Sequence, residues 1–179
     1  MSTQILKAKS GVITPEMEIV AKSERINAQW LCNEIAMGRV VIPKNINHKF
    51  TPRAVGNGLS IKVNANIGTS EKHCNLSEEL DKMKIAIKYG ADAIMDLSTG
   101  GNLRAILQQI ISESPVMVGT VPIYSVATRI LAEGKKISEL NPEELFDEIE
   151  VQAQMGVDFM TLHCGVTRSS LSSLDNDPR

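Results

Sequence analysis

The alternation of apolar and polar positions changes character near Gly58. From Leu59 onward it falls into strand, loop and helix in repeated order. Ile61, Val63, Ala65 and Ile67 alternate with Lys62, Asn64 and Asn66, the period of two expected of a strand. Ser77-Glu78-Glu79 then opens a helix with a buried stripe of Leu80, Met83 and Ile87, closed by Gly90. Ala93–Leu97 reads as a second strand and Asn102–Ile111 as a helix; Pro115 breaks the chain before a third strand, Val116–Thr120. Asn141-Pro142-Glu143-Glu144 is a helix start, with an Asn cap, proline in the first turn and Glu144 placed to return the capping bond. That helix carries Leu145, Ile149 and Ala153 to Gly156, and Asp158–His163 reads as the fourth strand. Gly90-Ala91-Asp92 and Gly156-Val157-Asp158 echo one another between helix and strand, although any short αβ loop has this form.

Before Gly58 the pattern is helical and irregular. Thr14-Pro15-Glu16 starts a helix with Met17, Val20 and Ala21 on one face, and a second helix spans Ala28–Met37, with Trp30, Leu31 and Ile35 apolar. Val40–Pro43 is a short extended piece and Pro52–Gly58 a loop. The chain therefore divides into a helical, irregular segment, residues 1–58, and a β/α segment, residues 59–179. Alternating β and α implies an α/β fold with a parallel sheet. No GxGxxG follows the first strand, which removes the simplest dinucleotide-binding version of a doubly wound sheet. Polar strand ends favour a (β/α)8 TIM-like barrel. Its closed form takes about 250 residues, so the chain is expected to supply the first four β/α units.

Composition narrows the partners. Net charge is −2, the charges are well mixed and only 3% of residues are aromatic, which argues against phosphate tracking and base stacking and so against a nucleic-acid partner. Cys32, Cys74 and Cys164 are scattered and show no CxxC spacing, which fits a reducing compartment rather than a disulfide framework. Met1–Ser10 lacks the apolar stretch of a secretory signal, and no apolar run approaches the ~20 residues that span a bilayer. A cytoplasmic protein without a membrane partner is expected.

Active sites of parallel β/α proteins lie at the carboxyl ends of the strands. Those ends carry Asn64, Asn66 and Gly68-Thr69-Ser70; Met95, Asp96 and Ser98-Thr99-Gly100-Gly101; Thr120, Pro122 and Tyr124; and His163 with Cys164. Amides, a phenol and an imidazole can hydrogen-bond a polar heterocycle or a ribose without adding net charge. The Ser/Thr/Gly stretches leave backbone N–H groups to approach a phosphate. A phosphorylated, polar, ring-containing ligand is the expectation. Other readings stand beside it: a structural Asn pair, Met95 as core packing, Asp96 tying down a loop, and Tyr124 as a capping side chain. His163 stands out as a polar residue inside an apolar strand at its functional end, and a satisfied structural histidine remains its other reading. Cys164 has no local base and reads as packing. His48 and His73 lie in loops with no partner at ligand spacing, so neither makes a metal site.

Six runs carry a resemblance: Gly11–Glu18, Ile42–His48, Val63–Gly68, Met95–Gly100, Gly119–Tyr124, and Gly156–Phe159 with His163–Val166. In order and spacing they resemble the thiamin pyrimidine synthase (phosphomethylpyrimidine synthase) family, a non-standard radical S-adenosylmethionine group. The resemblance implies conversion of aminoimidazole ribotide to hydroxymethylpyrimidine phosphate. It also implies S-adenosylmethionine, a [4Fe–4S] cluster, a divalent metal (zinc) and a homodimer. It makes Asn66, Met95, Tyr124 and His163 substrate contacts, with His163 the catalytic candidate. The family's Ser-Arg-Gly phosphate loop, Asp-Gly-Leu-Arg stretch, metal-binding histidine pair and CxxCxxxxC do not occur, and Ser125 stands where Gln is expected. The three cysteines cannot replace the cluster motif on spacing grounds, so cluster and metal ligands are expected outside this chain. The ending, Leu174–Arg179, reads as polar and loop-like. The paralogous 5-hydroxybenzimidazole synthase of anaerobic cobamide synthesis shares most of these motifs and the substrate. A non-catalytic half-barrel binding module is a third reading, against which its unpaired strand edges count.

Overall fold

Two separate apolar clusters organise the chain in this computed structural model, which describes residues 3–176. The first cluster holds α1 (Gln4–Lys9), α2 (Pro15–Glu24) and α3 (Ala28–Ala36) together. Side-chain oxygens start the second and third of these helices: Thr14 accepts from the Met17 N–H and Asn27 from the Trp30 N–H. Their inner faces contribute Met17, Val20, Leu31, Cys32 and Ile35, joined by Val40, Ile42 and Ala54. β1 (Val40–Val41) pairs antiparallel with β2 (Val55–Gly56). Sequence periodicity predicts neither α1 nor β2. Both are too short to show a period, and β2 lies in a stretch whose Pro and Gly content marks it as loop.

The second cluster lies between a sheet and its helices. The elements follow as β3 (Asn64–Ile67), α4 (Leu76–Lys88), β4 (Ala93–Asp96), α5 (Leu103–Glu113), β5 (Met117–Thr120), α6 (Pro122–Ala132), α7 (Pro142–Met155), β6 (Phe159–Met160) and α8 (Arg168–Asn176). The four strands pair in parallel in the order β3-β4-β5-β6, so the expected α/β fold with a parallel sheet is present. Ile67, Ile94 and Val118 point to the helices and pack on Met83, Ile106, Leu107, Ile110 and Ile111. Each such side chain, taken out of water, stabilises by roughly 1.5–3 kcal/mol.

Several expectations need correction. β3 begins only at Asn64, with Ile61 94% and Val63 55% exposed, because pairing to β4 starts at Asn64. β6 ends at Met160 rather than His163: it has β5 as its one neighbour and pairs over two residues. Tyr124 belongs to the first turn of α6, which the strand-end reading passed over. The α7 stripe is displaced as well. Glu148 and Gln152 are its buried residues, and Glu144 does not return the capping bond but pairs with Arg129 at 3.0 Å. Residues 174–176 of the ending expected as a loop are the last residues of α8, and residues 177–179 lie outside the described residues.

His48, which sequence spacing leaves idle, ties the N-terminal elements to the sheet. It is 3% exposed. Its Nδ1 lies 2.6 Å from Asp158 Oδ2 and its Nε2 lies 3.0 Å from the Ser114 carbonyl oxygen. Both partners accept, so both ring nitrogens must donate and the imidazolium is the form that fits. Burial depresses the His48 pKa and nearby Lys44 opposes the charge, but the bonds to Asp158 and Ser114 outweigh them and hold the pKa above its ordinary value of 6.5. A group raised in this way contributes stability that is full below its unfolded pKa and is lost as pH rises through its native one. Urea unfolding should therefore show stability falling as pH rises through the native His48 pKa. His48→Ala should remove that pH dependence and cost about 3 kcal/mol at acidic pH by leaving Asp158 charged and buried. An unchanged pH profile in the variant would rule out the imidazolium clasp.

Candidate functional site

Parallel register brings two of the expected residues side by side. Asn66 pairs with Met95 across β3 and β4, and residues in register leave a sheet on the same face. That face is opposite the helices, since Ile94 and Ile67 point into the helix-side cluster. Asn66 is exposed, while Met95 is 8% exposed yet belongs to neither apolar cluster. The other two residues meet beyond the strand ends. Tyr124, 37% exposed in the first turn of α6, and exposed His163, in the loop after β6, have ring centroids 6.2 Å apart at a 32° tilt. That is the ordinary separation of an aromatic pair. All four residues thus lie at the carboxyl ends of four adjacent strands, in two neighbouring pairs.

The small-residue loops do different work from that expected. The N–H groups of Gly68, Thr69, Ser70, Ser98 and Thr99 are already donated, to Glu79 Oε2, Ser98 Oγ, the His73 carbonyl, Asp96 Oδ1 and the Thr69 carbonyl respectively. The Thr69 and Thr99 bonds join the two loops, the other three hold each loop in shape, and none of these five N–H groups is left over for a phosphate. Thr69 Oγ1 adds a bond to the Gly100 carbonyl at 2.7 Å, and a Cβ on Gly100 would strike the backbone of Ser70 and Glu71. Asp96 points to the helix side, where it accepts from both the N–H and the hydroxyl of Ser98, at 3.0 and 2.5 Å. Burial raises its carboxyl above the ordinary range, with the Ser98 bonds acting the other way. Of the two readings of Asp96, the loop-tying one describes what it does here.

Thr120 also turns to the helix side. Its hydroxyl donates to Gln152 Oε1 at 2.6 Å, and Gln152 Nε2 donates to Glu148 and to Ser125. Glu148, 4% exposed, faces Arg104 and Arg129 at 3.4 and 3.9 Å. This buried polar chain went unpredicted, for its members sit where an apolar helix stripe was expected. A cavity of about 20 Å³ between Asp96, Ser98, Thr120, Tyr124 and Gln152 lies behind Tyr124. Two larger hollows are elsewhere. One, of about 540 Å³, opens between α5, α6 and α7, and another, of about 910 Å³, between the N-terminal elements and Asp158-Phe159. Neither contains any of the four expected contacts.

The thiols occupy three different places. Cys32 is buried in the N-terminal cluster, Cys74 is exposed and donates to the Gly100 carbonyl at 3.5 Å, and Cys164 is exposed in the loop after β6. Among the described residues, no group of three or more His, Cys, Asp or Glu side chains is placed to hold a metal ion. Nor is any described helix long and apolar enough to cross a membrane.

Residues 3–179 match the Radical SAM ThiC family. The chain is 58% identical over 178 residues to a phosphomethylpyrimidine synthase of Carboxydothermus hydrogenoformans, covering 99% of this chain and 42% of the relative. It is 50% identical over 177 residues to that of Methanococcus maripaludis strain C6, with coverage of 99% and 42%. With that of Thermoanaerobacter pseudethanolicus, identity is 46% over 178 residues, with coverage of 99% and 41%. The chain thus spans about two fifths of the length of the curated relatives it matches.

The loop geometry makes Ser98 the joint at the strand ends. Its hydroxyl donates to Asp96 and accepts from the Thr69 N–H at 3.1 Å. Ser98→Ala should lower unfolding stability by about 1–3 kcal/mol, because it leaves a buried N–H unpaired and an acceptor short. Amide hydrogen exchange at Thr69 should accelerate at the same time. Wild-type protection at Thr69 in the variant would show that the loops are held by other contacts.

Proposed function

This chain belongs to the Radical SAM ThiC family, and from that premise we propose that it forms one side of the ribotide site of a phosphomethylpyrimidine synthase. The enzyme would convert aminoimidazole ribotide to hydroxymethylpyrimidine phosphate in thiamin biosynthesis. The observation that carries the reading is the pairing of Asn66 with Met95 and of Tyr124 with His163 at the exits of four neighbouring parallel strands. The relatives' names, phosphomethylpyrimidine synthase in each case, support the thiamin product over the benzimidazole one.

In this reading the Asn66 amide hydrogen-bonds the polar edge of the heterocycle and the Met95 thioether offers an adaptable apolar surface beneath it. Tyr124 and His163 close the opposite side with a phenol and an imidazole, and His163 is the catalytic residue, able to hold or pass a proton at its ring nitrogens. Together they orient the substrate and exclude water. None carries a fixed charge of the kind that would neutralise a phosphate, and that task falls to residues outside this chain.

Family membership implies S-adenosylmethionine and an iron–sulfur cluster. The residues of this chain do not fit a cluster, because its three thiols do not converge. We assign the ligands of a [4Fe–4S] cluster, and of a divalent metal such as zinc, to parts of the protein outside this chain. The proposal extends to a (β/α)8 barrel of which residues 59–179 supply four units, to a separate segment of residues 1–58, and to a cytoplasmic homodimer.

The test is product analysis. The full-length protein, incubated anaerobically with aminoimidazole ribotide, S-adenosylmethionine and a low-potential reductant, should yield the hydroxymethylpyrimidine phosphate. Recovery of a benzimidazole would sink the thiamin assignment. His163→Ala in the same protein should lower turnover by about 10²-fold or more, the range of general acid–base residues, with its circular dichroism spectrum unchanged. Wild-type turnover would show the imidazole to be idle.

A further inference from the structure

The cross-strand row that begins at Asn66 does not end at Met95. Met95 pairs with Gly119 on β5, and Gly119 with Phe159 on β6. All four therefore leave the sheet on the same face. A Cβ placed on Gly119 would fall within the Phe159 ring edge and 2.9 Å from Met95 Sδ. Gly119 does not have a positive φ, so backbone freedom does not call for glycine here. What calls for it is space: the missing side chain leaves a hollow over the central strand, which the Phe159 ring and the Met95 thioether share.

A thioether at the edge of an aromatic ring makes a favourable contact with the sulfur ~5 Å from the ring, and an unbranched Met left without such a contact samples several rotamers. Phe159 is itself well held. It follows Asp158, whose carboxylate is bonded to His48, to Asn45 and to the Val118 N–H of the neighbouring strand. Half-buried, the ring has one side on Gly119 and borders the 910 Å³ hollow of the N-terminal elements.

We infer that Phe159, seated in the hollow over Gly119, is a positioning residue: it fixes the Met95 thioether beside Asn66 and sets how deep the sheet face lies beneath a planar ring ligand. The second half of this statement rests on the ribotide reading of that face, and the packing of ring and sulfur stands without it. Phe159 acts through Met95 and touches no reacting atom.

Two measurements on the full-length protein test it. With methyl-13C methionine, the Met95 methyl resonance, assigned by its loss in Met95→Leu, should be displaced by the ring current and should return toward its random-coil position in Phe159→Leu. Aminoimidazole ribotide binding should weaken about tenfold in Gly119→Ala, the scale of an overpacked contact. It should recover part of that loss in the double variant Gly119→Ala/Phe159→Leu, where the smaller side chain makes room, and the remainder should persist because Met95 is no longer held by the ring. General destabilisation does not produce such a rescue, and melting temperatures of the three variants provide the control. A Met95 resonance indifferent to Phe159→Leu, or a double variant that binds no better than Gly119→Ala, overturns the inference. If the wild-type protein binds no ribotide, the substrate reading fails instead, and the methyl resonance alone decides the positioning of Met95.

Discussion

The carboxylate of Asp158 sits where three pieces of chain meet, with its side chain wholly out of solvent. Oδ2 accepts from the Val118 N–H at 2.8 Å and from His48 Nδ1, and Oδ1 accepts from the Asn45 N–H at 2.7 Å. Its own N–H donates to the Val118 carbonyl at 2.9 Å. A buried carboxylate costs several kcal/mol unless its lone pairs are satisfied by well-placed donors, one of them charged. Those donors come from β5, from the 45–48 loop and from a histidine that also grips Ser114. Moving any one of them leaves a charge without its partner. The N-terminal elements and the β5–β6 edge of the sheet are therefore tied to each other by this polar cluster, reinforced by the Asn45 and Asn47 amides donating to the Ala153, Val157 and Gln154 carbonyls, while the apolar clusters on either side remain separate.

With that edge anchored, strand parity sorts the polar residues at the strand ends. Alternate side chains leave a strand on opposite faces, so neighbours in sequence have unrelated surroundings. Asp96 and Thr120 go to the helices, where each is consumed by structure: the first by Ser98, the second by Gln152. Asn66, Met95, Gly119 and Phe159 go to the other face. Being polar at the carboxyl end of a strand is not enough to place a residue in a site. Parity decides, and parity depends on register that only the folded sheet fixes.

This explains what the sequence made legible. The α5 and α7 starts were readable because Asn102 and Asn141 announce helices within a few residues of themselves, and the strands β4 and β5 because short apolar runs lie between such helices. His48 was not readable, for its partner lies 110 residues away and no local spacing hints at it. The Glu148–Gln152 chain escaped for a related reason: a helix stripe is read from hydrophobicity, and here the buried stripe is polar because Thr120, Arg104 and Arg129 meet it from other elements. Sequence alone carries β6 past Met160 to His163, whereas β5 ends at Thr120 and the chain enters α6 at Pro122, so the strand beside β6 stops there.

Met95 shows how far residue type alone can carry an argument. A methionine in a buried strand reads as core filling, and Met95 is indeed buried. Yet core membership requires apolar neighbours on the helix side, and Met95 points the other way, over a glycine and against a phenylalanine. A face made of an amide, a thioether and a ring has no charge to give. With the N–H groups of Gly68, Thr69, Ser70, Ser98 and Thr99 already committed, it can recognise a ligand by shape, stacking and a few neutral hydrogen bonds. Such recognition fixes orientation more than it adds affinity. On the proposed reading, displacements of a few tenths of an ångström on this face would then matter most, and over Gly119 the Phe159 ring and the Met95 sulfur leave no room for even a methyl group.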